Sequence, residues 1–470
     1  MPSVASHPQR WLILGVICLA QLTVLLDNTV LNVAIPSLTR ELDASTSDIQ
    51  WMINAYSLVQ SGLLLTAGSA ADRYGRKKML IAGLALFGVG SAVAGCAGTT
   101  GQLVAARAGM GVGGALLLTT TLAVVMQIFA PEEQPKAIGV WAAVNSLGFA
   151  TGPLIGGFLL NHFWWGSVFL VNLPVAAVAL VAVVALVPES RNPQGDRPDL
   201  PGALLSTVGM ASLVFTVISG PTHGWTSARV LVSGAVAVGV LALFAGWESR
   251  VPYPMLDLAL FRDRRFTGAV AGAVLVTFGM GGALFLLTQH LQLVLGYGPL
   301  EAGLRTAPLA LTVVALNFTG LAAKATVKLG GPTAILTGMT AMAAGLVSIA
   351  VASDGYAVTL LGLLLIGTGT ALAGPAMAHA IMSTIPPARA GVGAGVNGML
   401  AEFGNGLGVA VLGAVLSARL ASGARLSSAL GTGQAVGAVA VFAGGVLAAV
   451  LLRRAGRAAS AREETTAVPS

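Results

Sequence analysis

The feature that most constrains this chain is a succession of apolar runs, each roughly 18 to 25 residues long, separated by short polar connections. At 1.5 Å per residue a helix of that length crosses a hydrocarbon layer about 30 Å thick, so the runs read as spanning helices. A water-soluble fold fails on charge, because 9% of the residues are charged and 55% hydrophobic, against about 25% charged in a typical soluble domain. Sixty-one glycines would weaken soluble helices, but between membrane helices small residues let backbones approach. The composition therefore points to a packed bundle in a bilayer.

Loops fall where proline, charge and polar residues cluster, which places fourteen spans near 11–35, 49–71, 79–98, 102–128, 137–160, 165–187, 200–220, 229–247, 266–291, 304–325, 332–352, 356–382, 393–417 and 435–452. The loops after even-numbered spans and both termini share one side, and that side holds nineteen of the 25 basic residues, including Arg73, Arg76, Lys77 and Lys78. The positive-inside rule then puts both termini in the cytoplasm. This topology accounts for the net charge of +7 without a basic face, so no nucleic-acid partner is expected. No cleavable leader is expected either, the first span serving as its own insertion signal. The longest connections bracket spans seven and eight, and the second contains MLDLALF, a stretch suited to lying on the membrane interface. The expected architecture is an all-α polytopic membrane protein of six, two and six helices. It comprises an N-terminal bundle over 1–187, an inserted pair with its linkers over 188–265, a C-terminal bundle over 266–454 and a disordered cytoplasmic tail over 455–470. The two sixes are expected to be structural repeats around a midplane cavity, the arrangement that supports alternating access.

Ionisable groups at membrane depth are expensive and face a cavity or a partner, which makes the chemical census short. Of eighteen acidic residues only Asp27 and Glu402 lie well inside spans, and Arg107 is the one basic residue at depth. Asp27 stands about 24 Å along its helix, and Arg107 lies at comparable height in span four, so the two can meet if those helices adjoin. Such a pair either fixes packing permanently or belongs to a carboxylate whose proton occupancy is switched. Glu402 lies roughly 15 Å along its helix without an obvious cation, as a titrating group or as a neutral acid hydrogen-bonded between helices. His290 and His379, near helix ends, read as interfacial polar groups. Asn28, Asn32, Tyr56, Gln60, Asn145, Asn317, Asn397 and Asn405 supply cavity polarity or interhelical hydrogen bonds. Cys18 and Cys96 read as small core residues. With no metal-ligand spacing and no phosphate-binding loop, neither a metal nor ATP-driven transport within the chain is expected.

Several segments together resemble one family. LLDNTVLNVAIP carries a D-x-T-x-x-N-x-A-x-P pattern at Asp27, Thr29, Asn32, Ala34 and Pro36, and WMINAYSL follows at Trp51 to Leu58. GSAADRYGRKKM holds Gly68, Asp72, Arg73, Gly75, Arg76 and Lys77; LVAARAGMGVGGAL holds Arg107, Gly111 and Gly113; GFATGPLIGG holds Gly148, Gly152, Pro153, Gly156 and Gly157. WGSVFLVNLP, LQLVLGYGPLEAGLRTAP and NGMLAEFGNGLGVAVLG add to the likeness, while Met110 and Ala401 depart from the family's usual glutamine and basic residue. Over most of its length the sequence is similar to the fourteen-helix drug:proton antiporters of the major facilitator superfamily.

The resemblance implies a major facilitator fold and a secondary transporter rather than an enzyme. It implies export of lipophilic or cationic drug-like molecules in exchange for protons, with no cofactor, by a monomer in a bacterial plasma membrane. The family's proton site falls on Asp27, with Arg107 and Glu402 as further coupling candidates. Asp72, Arg73, Gly75, Arg76 and Lys77 fall in its gating loop, and Gly148, Gly152, Pro153, Gly156 and Gly157 in its hinge motif. Asn28, Asn32, Tyr56, Asn145 and Asn397 are candidates for the substrate cavity. An exporter of an endogenous metabolite, such as a peptide, a siderophore or a self-made antibiotic, shares every one of these motifs.

Overall fold

The computed structural model describes residues 8–130, 132–191, 197–352, 355–385 and 390–466 of the chain. Its α-helices are α1 (Arg10–Glu41), α2 (Thr46–Tyr74), α3 (Arg76–Gly95), α4 (Thr100–Ile128), α5 (Gln134–His162), α6 (Ser167–Leu170), α7 (Asn172–Leu186), α8 (Leu200–His223), α9 (Ala228–Glu248), α10 (Arg264–Gln289), α11 (Pro299–Phe318), α12 (Leu321–Leu329), α13 (Gly331–Val351), α14 (Tyr356–Met382), α15 (Ala390–Ala421) and α16 (Leu426–Thr466). Among the described residues twelve helices are long and apolar enough to cross a membrane. The other two long helices are α2 and α5, of 29 residues each. α2 is the more polar because Gln50, Asn54, Ser57, Gln60 and Ser61 are buried along it, facing protein rather than lipid.

Outward-facing side chains are apolar, as a bilayer requires: Val181 is 70% exposed and Val238 and Val439 are 71% exposed. The same packing scheme occurs twice. In the first half α1 packs on α5, α4 and α7, α4 on α2 and α3, and α3 on α7; in the second α10 packs on α15, α14 and α16, α14 on α11 and α13, and α13 on α16. The halves meet along two seams, α2 on α15 and α5 on α11, that exchange under the same correspondence. The inserted pair is asymmetric, since α8 packs against both α2 and α15 while α9 packs chiefly on α8.

Local chemistry sets several boundaries. At the start of α2, Ser45 Oγ accepts from the Asp48 amide at 3.2 Å and Asp48 Oδ2 from the Ser45 amide at 2.9 Å, a capping box. The run expected to span 304–325 breaks after Phe318, where Gly320 takes φ 70°, and α12 follows as a separate short helix. The tail expected to be disordered from residue 455 continues α16 to Thr466, its alanine-rich sequence favouring helix; residues 467–470 lie outside the described residues. MLDLALF does not lie on the interface as a whole, because Met255 and Leu256 are buried against Ala203 and Phe266. Cys96 is exposed at the end of α3, whereas Cys18 is buried.

Candidate functional site

The buried charges of the first half come together. Arg107 on α4 donates through Nη1 to Asp27 Oδ2 on α1, and the two residues are 1% and 2% exposed. Arg107 Nε donates to the Met52 carbonyl at 3.0 Å, and its guanidinium lies 4.4 Å from the centroid of the Tyr56 ring on α2. Asn172, at the start of α7, reaches Asp27 Oδ1 at 3.5 Å and Ser91 Oγ at 3.4 Å. Four helices, α1, α2, α4 and α7, therefore converge on one ion pair. A charged pair so dry carries a large desolvation cost, and losing either charge strands the other.

Glu402 lies on the far side of α2. Its Oε2 is buried without a hydrogen-bond partner, and Ser57 is within hydrogen-bonding reach of its carboxyl. Tyr56 and Ser57 are consecutive, so α2 forms a common wall with the Asp27–Arg107 pair on one side and Glu402 on the other. Along the α15 seam, Gln50 Nε2 donates to the Val409 and Ala410 carbonyls at 3.2 and 2.8 Å, and Ser61 Oγ to the Met399 carbonyl at 2.9 Å. This seam between halves is polar where it surrounds Glu402.

On α5, the glycine motif divides between two neighbours. Side chains at Gly148, Gly152 and Gly156, spaced one helical turn apart, would run into Leu25, Thr29 and Val30 of α1. A Cβ at Gly157 would lie 2.6 Å from the Pro299 carbonyl and 2.7 Å from Leu300 Cα, and the Pro153 carbonyl faces Gly303. The motif thus seats α5 on its own half and lets α11 of the other half approach the backbone.

In the α2–α3 loop, Arg76 pairs with Asp72 at 2.8 Å and donates to the Ala123 carbonyl of α4 at 3.1 Å. Lys77 Nζ donates to the Val184 carbonyl of α7 at 2.8 Å. Both residues open α3, and their side chains reach the C-terminal ends of α4 and α7, where the macrodipole favours a cation. Gly75 takes φ 120°, and a side chain there would also lie 2.6 Å from Glu189 Oε1, which accepts from the Lys77 amide at 3.2 Å. These bonds all lie within the first half.

Comparison with known proteins gives this arrangement a family. The model of the Major Facilitator Superfamily matches residues 17–409. The chain belongs to that superfamily. It is 37% identical over 402 residues to the multidrug resistance protein Stp of Mycobacterium tuberculosis, covering 85% of this chain and 74% of that protein. It is 36% identical over 454 residues to the multidrug efflux pump LfrA of Mycolicibacterium smegmatis, covering 95% and 89%. Among solved structures, the POT family transporter PepTSo superposes with a TM-score of 0.72 at 14% identity, covering 96% of this chain and 99% of that one, a likeness of fold. This superfamily member is a multi-pass membrane protein of a kind that carries small molecules.

The remaining residues singled out by sequence are dispersed. Tyr56 is fully buried against Arg107 and serves the ion pair. Asn32 Nδ2 donates to the Asn28 carbonyl at 3.3 Å, and Asn32 lines a small cavity with Thr29, Thr288 and Thr306 where α1, α10 and α11 meet. Asn397 is half-buried on α15, and Arg73 lies in the last turn of α2. Asn145 falls on α5 with its side chain outside the described residues. Ser57 and Glu189 are functional neighbours that the sequence does not single out, and Asn172 stands out there only as part of a family segment. An asparagine opening the otherwise apolar α7 was the available signal for Asn172, whereas a serine in α2 and an exposed glutamate in a loop carried none.

Proposed function

We propose that this superfamily member is a proton-driven exporter of lipophilic or cationic drug-like molecules, working by alternating access between its two halves. The observation that carries the proposal is the buried Asp27–Arg107 pair at the convergence of α1, α2, α4 and α7. A carboxylate held by one guanidinium has two discrete states: ionised and paired, or protonated and released. In the released state Arg107 keeps the Met52 carbonyl and the Tyr56 ring, neutral partners that hold a cation less well than a carboxylate does. Protonation therefore changes how α1 and α4 pack, and α1 contacts the α5 motif that faces α11 across the seam. Glu402, in the polar wall between halves, is placed to meet a cationic substrate, which would exchange with a proton there. The names of Stp and LfrA support a drug-like substrate. In this reading α2 and α5 count as spans, giving fourteen, with both termini cytoplasmic and the proton gradient as the energy source. Proteoliposomes with an imposed pH gradient should expel a preloaded lipophilic cation. Equal efflux with the gradient collapsed would refute proton coupling.

A further inference from the structure

A second pair of buried acids lies away from this site, where the inserted helices join the rest of the molecule. Asp199 caps α8, accepting from the Gly202 amide at 2.9 Å, and is 7% exposed. Glu248 ends α9 and is 3% exposed. Both carboxylates point at one spot, since a side chain on Gly202 would run into Asp199 Oδ2 and would lie 2.6 Å from Glu248 Oε1. The two side chains are within hydrogen-bonding reach of each other.

The donors around them are few. Trp247 Nε1 is 2.9 and 3.1 Å from the two Asp199 oxygens, and the Leu256 amide donates to Glu248 Oε2 at 3.0 Å. From α2, Thr66 Oγ1 donates to the Asp199 carbonyl at 3.2 Å. Glu248 Oε1 is buried without a hydrogen-bond partner, and besides the Leu256 amide only the Met255 amide lies close to this carboxylate among the described residues. The charged side chain acting on Glu248 is Asp199, and no lysine or arginine pairs with either acid among the described residues. Two ionised carboxylates in contact in a dry site repel each other strongly, so one of them holds a proton or a cation lies between them.

We infer that Asp199 and Glu248 together bind one proton, carried on Glu248 Oε1 and donated to Asp199 Oδ2, and that this proton closes the joint between α8, α9, α2 and the segment leading to α10. The proton supplies the donor that Glu248 Oε1 lacks. Its release to water would leave two like charges facing each other without a counter-ion. The joint is mechanically placed to matter, because α8 is the helix that packs on both α2 and α15, along one of the two seams between halves. With the proton bound, the inserted pair is fixed to α2 at that end. This site is distinct from the Asp27 machinery, and the inference does not rest on drug export.

Infrared difference spectroscopy on the full-length protein in lipid nanodiscs tests it. In a background of Asp27→Asn with Glu402→Gln, a protonated-carboxyl stretch is expected at neutral pH, and adding either Glu248→Gln or Asp199→Asn should abolish it. Glutamine at 248 can donate its amide to Asp199, so Glu248→Gln should unfold at the temperature of its parent, whereas Glu248→Ala should unfold at a lower one. A band that survives both acid-to-amide changes would overturn the inference. So would loss of the band in sodium or potassium salts, which would make the occupant a metal cation.

Discussion

Asp27→Asn separates a switched carboxylate from one that merely fixes packing. The substitution keeps the shape of the side chain and an acceptor for Arg107 but removes the negative charge that is bonded to it. Arg107 is 1% exposed, and its remaining partners are the Met52 carbonyl and the Tyr56 and Phe169 rings. Breaking a buried pair by removing one partner costs about 3–5 kcal/mol, and the retained acceptor places Asp27→Asn near the lower end. At roughly 3 kcal/mol the paired arrangement is disfavoured about a hundredfold. The variant should therefore rest in the arrangement that a protonated Asp27 adopts, unable to return. Gradient-driven efflux from proteoliposomes is expected to disappear, while substrate still binds and loses most of its dependence on pH between 5 and 9. A double variant with Arg107→Gln should be less destabilised than the two single changes added together, because no charge is then stranded. Gradient-driven efflux at the wild-type rate in Asp27→Asn would remove this carboxylate from the mechanism. Loss of binding along with efflux would show instead that the pair serves only to hold the bundle together.

Gly75→Val places a branched side chain at φ 120° and against Glu189, at a cost of about 1–3 kcal/mol, so exchange between conformations should slow while equilibrium substrate binding stays near wild type; a variant that lost binding yet exchanged rapidly would contradict the gating role. Gly157→Leu should wedge α5 from the Pro299–Leu300 turn of α11, and an engineered cysteine pair across that seam should cross-link several-fold more slowly; unchanged cross-linking would show that the seam does not need the glycine. Glu402→Gln should reduce efflux of cationic substrates by about tenfold while sparing neutral ones, a difference of roughly 1.4 kcal/mol in favour of the charged group; equal losses for both would deny Glu402 a role in charge recognition. In a background lacking Cys18 and Cys96, cysteines placed at Gly75 and Ala458 should resist membrane-impermeant thiol reagents applied to whole cells, and labelling at both would invert the topology.

The sequence by itself determined that this chain lives in a bilayer, where its helices run and which three charges lie deep, because hydrocarbon makes charge so costly that its rare occurrences stand out from the composition. It also marked the glycine spacing of the α5 motif and the D-R-x-G-R-K order of the α2–α3 loop. Only the tertiary structure decided which of these features meet. That Asp27 reaches Arg107 depends on α1 lying beside α4, and that Glu402 lies across α2 from the pair depends on α2 packing against both α4 and α15; neither adjacency has a local signal. Ser57 and Asn172 are ordinary helix-packing residues until their neighbours are known, since a neutral hydroxyl or amide satisfies itself in many surroundings. Glu189 reads as a solvated loop acid, yet folding brings it to the start of α3, beside a glycine whose φ leaves room for nothing else. Met255 and Leu256 show the limit most plainly. An apolar stretch of that length gains about the same free energy from lipid as from a protein core, so the sequence cannot say which will bury it, and here the faces of α8 and α10 were nearer.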